Sequence, residues 1–106
     1  MKIKTSDLTG TALDWAVAEA AGYSLNTLDL LYDVKSYDKF NPSTDWARGG
    51  PFIEQHKIET YYQPSLGQWA ARHNDNLRYG HTPLIAAMRC RVASELGDEV
   101  EVPDEF

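Results

Sequence analysis

The chain has 106 residues, 42% of them hydrophobic and 11% aromatic, and 16 acidic against 10 basic residues give a formal charge of −6. That length predicts one domain over 1–106, and that apolar content excludes an intrinsically disordered chain. The basic residues are scattered, which argues against general nucleic-acid binding, and no apolar run is long enough for a membrane span or a signal peptide.

Taken in order, Met1 to Lys4 alternates around Ile3 and predicts a short strand. Ser6-Asp7 or Thr9 caps a helix running to Ala21, with Leu8, Ala12, Leu13, Ala16, Val17 and Ala20 on one apolar face, Trp15 at its margin and Gly22 ending it. Tyr23 to Asn41 fits both a helix capped by Asn26 and an irregular segment, with Leu28, Leu31 and Val34 on the side of the helix. Asn41-Pro42 stops whatever precedes it, because the residue before proline avoids helical geometry. Ser43 or Thr44 then opens a short turn closed by Gly49-Gly50-Pro51, and a second helical turn begins at Pro51 and carries Phe52 to Gln55.

From Lys57 the pattern becomes β-rich and alternating through Tyr61 and Tyr62. Pro64 to Gly67 makes a turn, and Gln68 to His73 completes an antiparallel hairpin in which Tyr61, Tyr62 and Trp69 face one another. Asn74 to Gly80 reads as a polar loop. The clearest helix follows, with Thr82 as cap, Pro83 at the first position and Gly97 as a left-handed stop. Leu84, Ile85, Met88, Val92 and Leu96 mark its core face, and Ala86, Ala87 and Ala93 permit close packing against the first helix. Cys90 lies inside this helix and has no internal partner, so it reads as a packing residue in a reducing compartment. Glu99 to Val102 reads as a last strand on the same sheet, and the acidic tail around it as a solvated edge. The expected fold is α+β, two main helices packed on a small antiparallel sheet.

Two stretches carry candidate chemistry. Thr44, Asp45, Trp46, Arg48, Gly49 and Gly50 combine a stacking face, a carboxylate, a guanidinium and glycines able to aim backbone amides at an anion. The competing reading is a capping aspartate, a core tryptophan and a helix stop. His81 and Thr82 stand at a helix N-terminus, where free amides and the helix dipole favour an anion, and Arg89 and Arg91 on the polar side of that helix add charge. Here the competing reading is a capped helix with solvated arginines. Of the three histidines, His56, His73 and His81, none has metal-ligand spacing, and no metal or cofactor is expected.

Three blocks, K-T-S-D-L-T-G-T-A-L-D-W-A-V-A, P-S-T-D-W-A-R-G-G-P-F-I-E and G-H-T-P-L-I-A-A-M-R-C-R-V-A-S-E-L-G-D-E-V-E-V-P, resemble the NinX-like proteins of lambdoid phages and prophages. The resemblance implies an accessory phage protein in the cytoplasm of a bacterial host, with no assigned catalytic residues. Joined to the Trp46 turn, it leads to the expectation of a non-catalytic binder that captures a small anionic ligand, such as a nucleotide-derived host signal, as counter-defence. A chain this small has little concave surface, so capture is expected in a homo-oligomer. The alternatives are a module binding a host or phage protein through an acidic or aromatic face, and a small hydrolase using Asp45, Glu54 or a histidine.

Overall fold

In the computed structural model, residues 1–22 and 40–104 are described. For residues 23–39 the ambiguous Tyr23 to Asn41 stretch lies outside them. Strand β1 (Lys2–Lys4) leads into a 3-10 turn (Thr5–Asp7) and helix α1 (Gly10–Ala20). Helix α2 is Trp46–His56, followed by strands β2 (Glu59–Gln63), β3 (Gln68–His73) and β4 (Asn76–Gly80), helix α3 (Pro83–Leu96) and strand β5 (Glu99–Glu101). The α+β expectation holds, with α3 as the central element. It packs against all three strands of the β2-β3-β4 sheet and also meets α1, α2, the 3-10 turn and β5.

The ends of α3 follow their residues. Thr82 Oγ1 accepts from Ile85 N at 3.1 Å, Pro83 occupies the first turn, and Gly97 N donates to Ala93 O at 3.0 Å. Gly97 has φ 88° and ψ −161°, so it leaves the helix in a mirror-extended conformation open to glycine and not in the left-handed helical one expected. Leu84, Ala86, Ala87, Met88, Cys90, Val92 and Ala93 are all buried. Burial pushes the Cys90 thiol up to about 11, in keeping with a packing role. Helix α1 starts one residue after Thr9, whose side chain makes no cap bond, while Ser6 and Asp7 belong to the preceding 3-10 turn. Its buried residues include Leu13, Ala16 and Val17 as expected, and also Asp14 and Ala18.

Three other elements differ from the sequence reading. Gly49-Gly50-Pro51 does not separate two turns, because α2 runs straight through it with Pro51 inside. The polar Asn74 to Gly80 stretch is a two-residue turn, with Asn74 at φ 54°, followed by β4. Its register sets Arg78 opposite Ala71 and Gly80 opposite Trp69, so the side of β4 facing α3 carries Asn76, Arg78 and Gly80. No apolar alternation was there to be read, because α3 lies almost on the backbone: a Cβ on Gly80 would stand 2.7 Å from Ile85 Cγ2 and 2.8 Å from Ala86 N. Finally, β5 does not join that sheet. It pairs antiparallel with β1, setting Lys2 opposite Glu101 and Lys4 opposite Glu99, while Val100 turns into the core opposite Ile3. The acidic edge is thus matched by the two lysines of the first strand.

The hairpin of β2 and β3 forms as expected, with Tyr62 opposite Trp69 and their rings in an edge contact at 5.6 Å between centroids. Tyr61 stands opposite Ala70 and points to the other face. Met88, fully buried at the centre of α3, is the direct test of that helix as the core element. Met88→Ala is expected to lower unfolding free energy by about 2–5 kcal/mol in denaturant titration, and a loss below about 0.5 kcal/mol would refute the placement.

Candidate functional site

The Ser43–Pro51 stretch is built from a buried anchor outward. Asp14 on α1, 3% exposed, accepts from Ser43 N at 2.9 Å and fixes the chain where it leaves Pro42. Thr44 N and Asp45 N both donate to Asn41 O, at 3.1 and 2.9 Å, and close a turn. Asp45 then caps α2: its Oδ1 accepts from Ala47 N at 3.0 Å, its carbonyl accepts from Gly49 N at 2.8 Å, and its Oδ2 lies 3.8 Å from Arg48 Nε.

The two glycines have separate roles. Gly49 is buried, and a Cβ there would collide with the carbonyl oxygen of Pro42 and stand 2.7 Å from Leu84 Cδ2. Gly50 has open space, with Trp46 Cε3 at 3.9 Å from such a Cβ. Both are helical without positive φ, and the Gly49 amide is already committed to Asp45, so the pair does not form the anion-binding backbone that its sequence suggests. Trp46 is not a core residue: it is 56% exposed at the first position of α2. Aspartate as cap fits the competing reading of the sequence; tryptophan as core filler does not.

The second candidate stretch lies beside the first, since Gly49 contacts Leu84 in the first turn of α3. There His81 and Thr82 are exposed, and the Thr82 hydroxyl is used on Ile85 N. Arg89 belongs elsewhere. Its Nε donates to Leu8 O and its NH1 to Tyr79 O, both at 2.7 Å, so it joins the entry to α1, strand β4 and α3. Burial lowers its pKa from the usual arginine value, with Asp7 opposing. Arg91, also expected on a solvated face, is only 6% exposed. Both corrections have one cause: α3 is enclosed, so its arginines turn to backbone carbonyls and Glu95 instead of water.

Sequence reasoning missed Asp14, and the only signal was a carboxylate beside Leu13 on an otherwise apolar face. It also missed His56 and His73 as neighbours, for which spacing carried no signal. An open pocket of about 530 Å³ is lined by Trp15, Glu19, Glu101, Asp104 and Met1, whose N-terminal ammonium pairs with Glu101 and Asp104 at 2.6 and 3.1 Å. Burial raises the Glu19 carboxyl above its ordinary value. Among the described residues no cluster of three or more His, Cys, Asp and Glu side chains is placed to hold a metal ion, and no helix is long and apolar enough to cross a membrane.

The family model described as "Bacteriophage P22, NinX" matches residues 4–95, which include both candidate stretches, α1, α2 and all of α3 but Leu96. No curated protein matches the chain.

Two substitutions separate helix from anion-binding turn. Gly49→Ala is expected to destabilise by roughly 1–3 kcal/mol through collision with Pro42 and Leu84, whereas Gly50→Ala is expected to stabilise by about 0.5–1 kcal/mol as alanine replaces glycine in an open helical position. Urea titrations of the pair check this, and equal losses at both positions would contradict it. Arg89→Met, which strands two carbonyls, is expected to lose about 1.5–3 kcal/mol in the same measurement, against near neutrality for a solvated arginine.

Proposed function

Because the chain belongs to the bacteriophage P22 NinX family, we propose that it is a phage accessory protein that acts in the host cytoplasm by non-catalytic binding, with the Trp46 end of α2 as its contact. One observation carries the reading. Trp46 stands 56% exposed at the start of a helix that buries Gly49 and Phe52 behind it, so a large apolar side chain is held toward solvent by a rigid support. A tryptophan so mounted is what a binding anchor requires, since its burial against a partner removes apolar area at little cost in side-chain freedom. Asp45 and Arg48 flank it and supply polar contacts of both signs around that anchor. The partner that fits best is a protein surface.

Capture of a small anionic, nucleotide-derived signal as counter-defence is the second reading. It is favoured by the proximity of an indole face and the Arg48 guanidinium on one turn, and it requires Arg48 to exchange Asp45 for the ligand. A second copy of the chain would supply the opposite wall, which light scattering would reveal as a homo-oligomer. Of the groups a hydrolytic role would draw on, Asp45, Glu54 or a histidine, Asp45 is engaged by Ala47 N and Arg48.

Trp46→Ala is expected to change stability by no more than about 0.5 kcal/mol while abolishing co-purification of the partner from infected cells. Equal recovery by parent and variant would overturn the assignment of Trp46. A nucleotide thermal-shift screen tests the second reading: a ligand at a hundred times its dissociation constant adds about 2.7 kcal/mol, and Arg48→Ala would weaken it by about 1.5–3 kcal/mol.

A further inference from the structure

The β2-β3-β4 sheet has two edges, and they differ. In an antiparallel ladder alternate residues turn both backbone groups to the same neighbour. The two-residue turn at Asn74-Asp75 makes His73 and Asn76 a bonded pair, so Leu77 and Tyr79 of β4 turn their backbone groups away from β3. Those outward carbonyls are occupied: Leu77 O accepts from the Arg78 guanidinium at 3.0 Å and Tyr79 O from that of Arg89 at 2.7 Å. On the opposite edge the same alternation turns Glu59, Tyr61 and Gln63 toward β3 and leaves Thr60 and Tyr62 facing outward. Outside the β2-β3 ladder, no group among the described residues hydrogen-bonds the backbone of Glu59 to Tyr62. The strand also lacks what usually blunts an edge: Glu59–Gln63 contains no lysine or proline and pairs residue for residue with β3, without a bulge. Exposed apolar area gathers on the same hairpin, with Tyr61 37%, Tyr62 49% and Leu66 54% exposed.

We propose that β2 is a dimerisation edge: a second copy of the chain adds its own β2 antiparallel across a two-fold axis at Tyr61, normal to the sheet, and the two sheets become one. In that register Thr60 lies opposite the partner's Tyr62, Tyr61 opposite the partner's Tyr61, and Glu59 opposite the partner's Gln63. The outward residues Thr60 and Tyr62 then exchange both of their backbone hydrogen bonds with their counterparts, so the groups left open at the edge satisfy one another. Neighbouring registers fail. An axis at Tyr62 sets Thr60 against Pro64, which has no N–H to give, and an axis at Thr60 sets Tyr62 against Ile58, whose N–H is committed to Ile53 O at 3.0 Å. Side chains agree with the Tyr61 axis. Thr60 and Tyr62 form an aromatic and β-branched pair on the α3 side, and the Tyr61 rings meet on the far side, where Tyr61, Ala70 and Tyr79 already form a row across the sheet. Charge permits this self-pairing in a protein of formal charge −6, because Glu59 is the only charged residue of β2 and faces a neutral amide. The two Glu59 carboxylates stand roughly 14 Å apart along the strands, beyond the screening length at physiological salt. The inference rests on the β2 edge and is independent of what Trp46 binds.

The test is the solution mass by light scattering, at tens of micromolar, of the parent protein, Tyr61→Lys and Tyr61→Glu. The parent is expected at the mass of two chains and each variant at the mass of one, because the axis sets like charges directly against each other. An equimolar mixture of the two variants is expected to return to two chains, since lysine then faces glutamate. A monomeric parent, a mixture that stays monomeric, or a dimer that survives both substitutions, as one built around Trp46 would, overturns the proposal. Should either charged variant not fold, Tyr61→Cys serves instead: opposite residues of an antiparallel pair have Cα atoms about 4.5–5.5 Å apart, within reach of a disulfide. Mild oxidation is expected to cross-link Tyr61→Cys and to leave Leu66→Cys single, since position 66 lies far from its own copy in this register and Cys90 is buried in both. Equal cross-linking of the two, or none in Tyr61→Cys, counts against the register.

Discussion

The enclosure of α3 is the constraint from which the other features of this protein follow. A helix covered by a sheet on one side and by helices on others has no solvated stripe, so each polar side chain it carries must find a partner within the protein. Arg89 finds Leu8 O and Tyr79 O, and in doing so joins three elements distant in sequence. Arg91 finds Glu95 and, at longer range, Ala20 O at the end of α1. Enclosure also sets the size of neighbouring residues: Ala86 and Ala87 on the helix, Gly80 on β4 and Gly49 on α2 are small because backbones approach there too closely for a side chain.

The same close approach explains why α2 contains residues that ordinarily end helices. Glycine at position 49 costs the helix some of its intrinsic stability, and Pro51 removes one of its hydrogen bonds. The Asp45 cap, the burial of Phe52 and the contact of Gly49 with Leu84 offset those losses. What remains outside is Trp46.

Electrostatics divide the surface into parts with different behaviour. At the β1-β5 pair, lysines oppose glutamates in water, where salt screens each pairing and its contribution is small. At the end of α2, His56 and His73 meet edge to face with centroids 5.9 Å apart, and burial first, then Arg91 and His73, lower the His56 pKa from the ordinary histidine value.

Residue types and spacing alone determined the α+β class, the two ends of α3, its core face, the β2-β3 hairpin with its Tyr62–Trp69 contact, and the family resemblance. Those features depend on local propensity and on periodicity, which a linear chain carries in itself. Tertiary structure alone decided that β4 is a strand, that α2 continues through Gly49-Gly50-Pro51, that β5 pairs with β1, and that Arg89 joins Leu8 O to Tyr79 O. Each of those depends on which backbone comes within a few ångströms of another. Glycine, arginine and aspartate carry no periodic mark of such proximity, so Gly80 reads as loop, Arg89 as a charge on a polar face and Asp14 as nothing in particular until the helix that encloses them is in place.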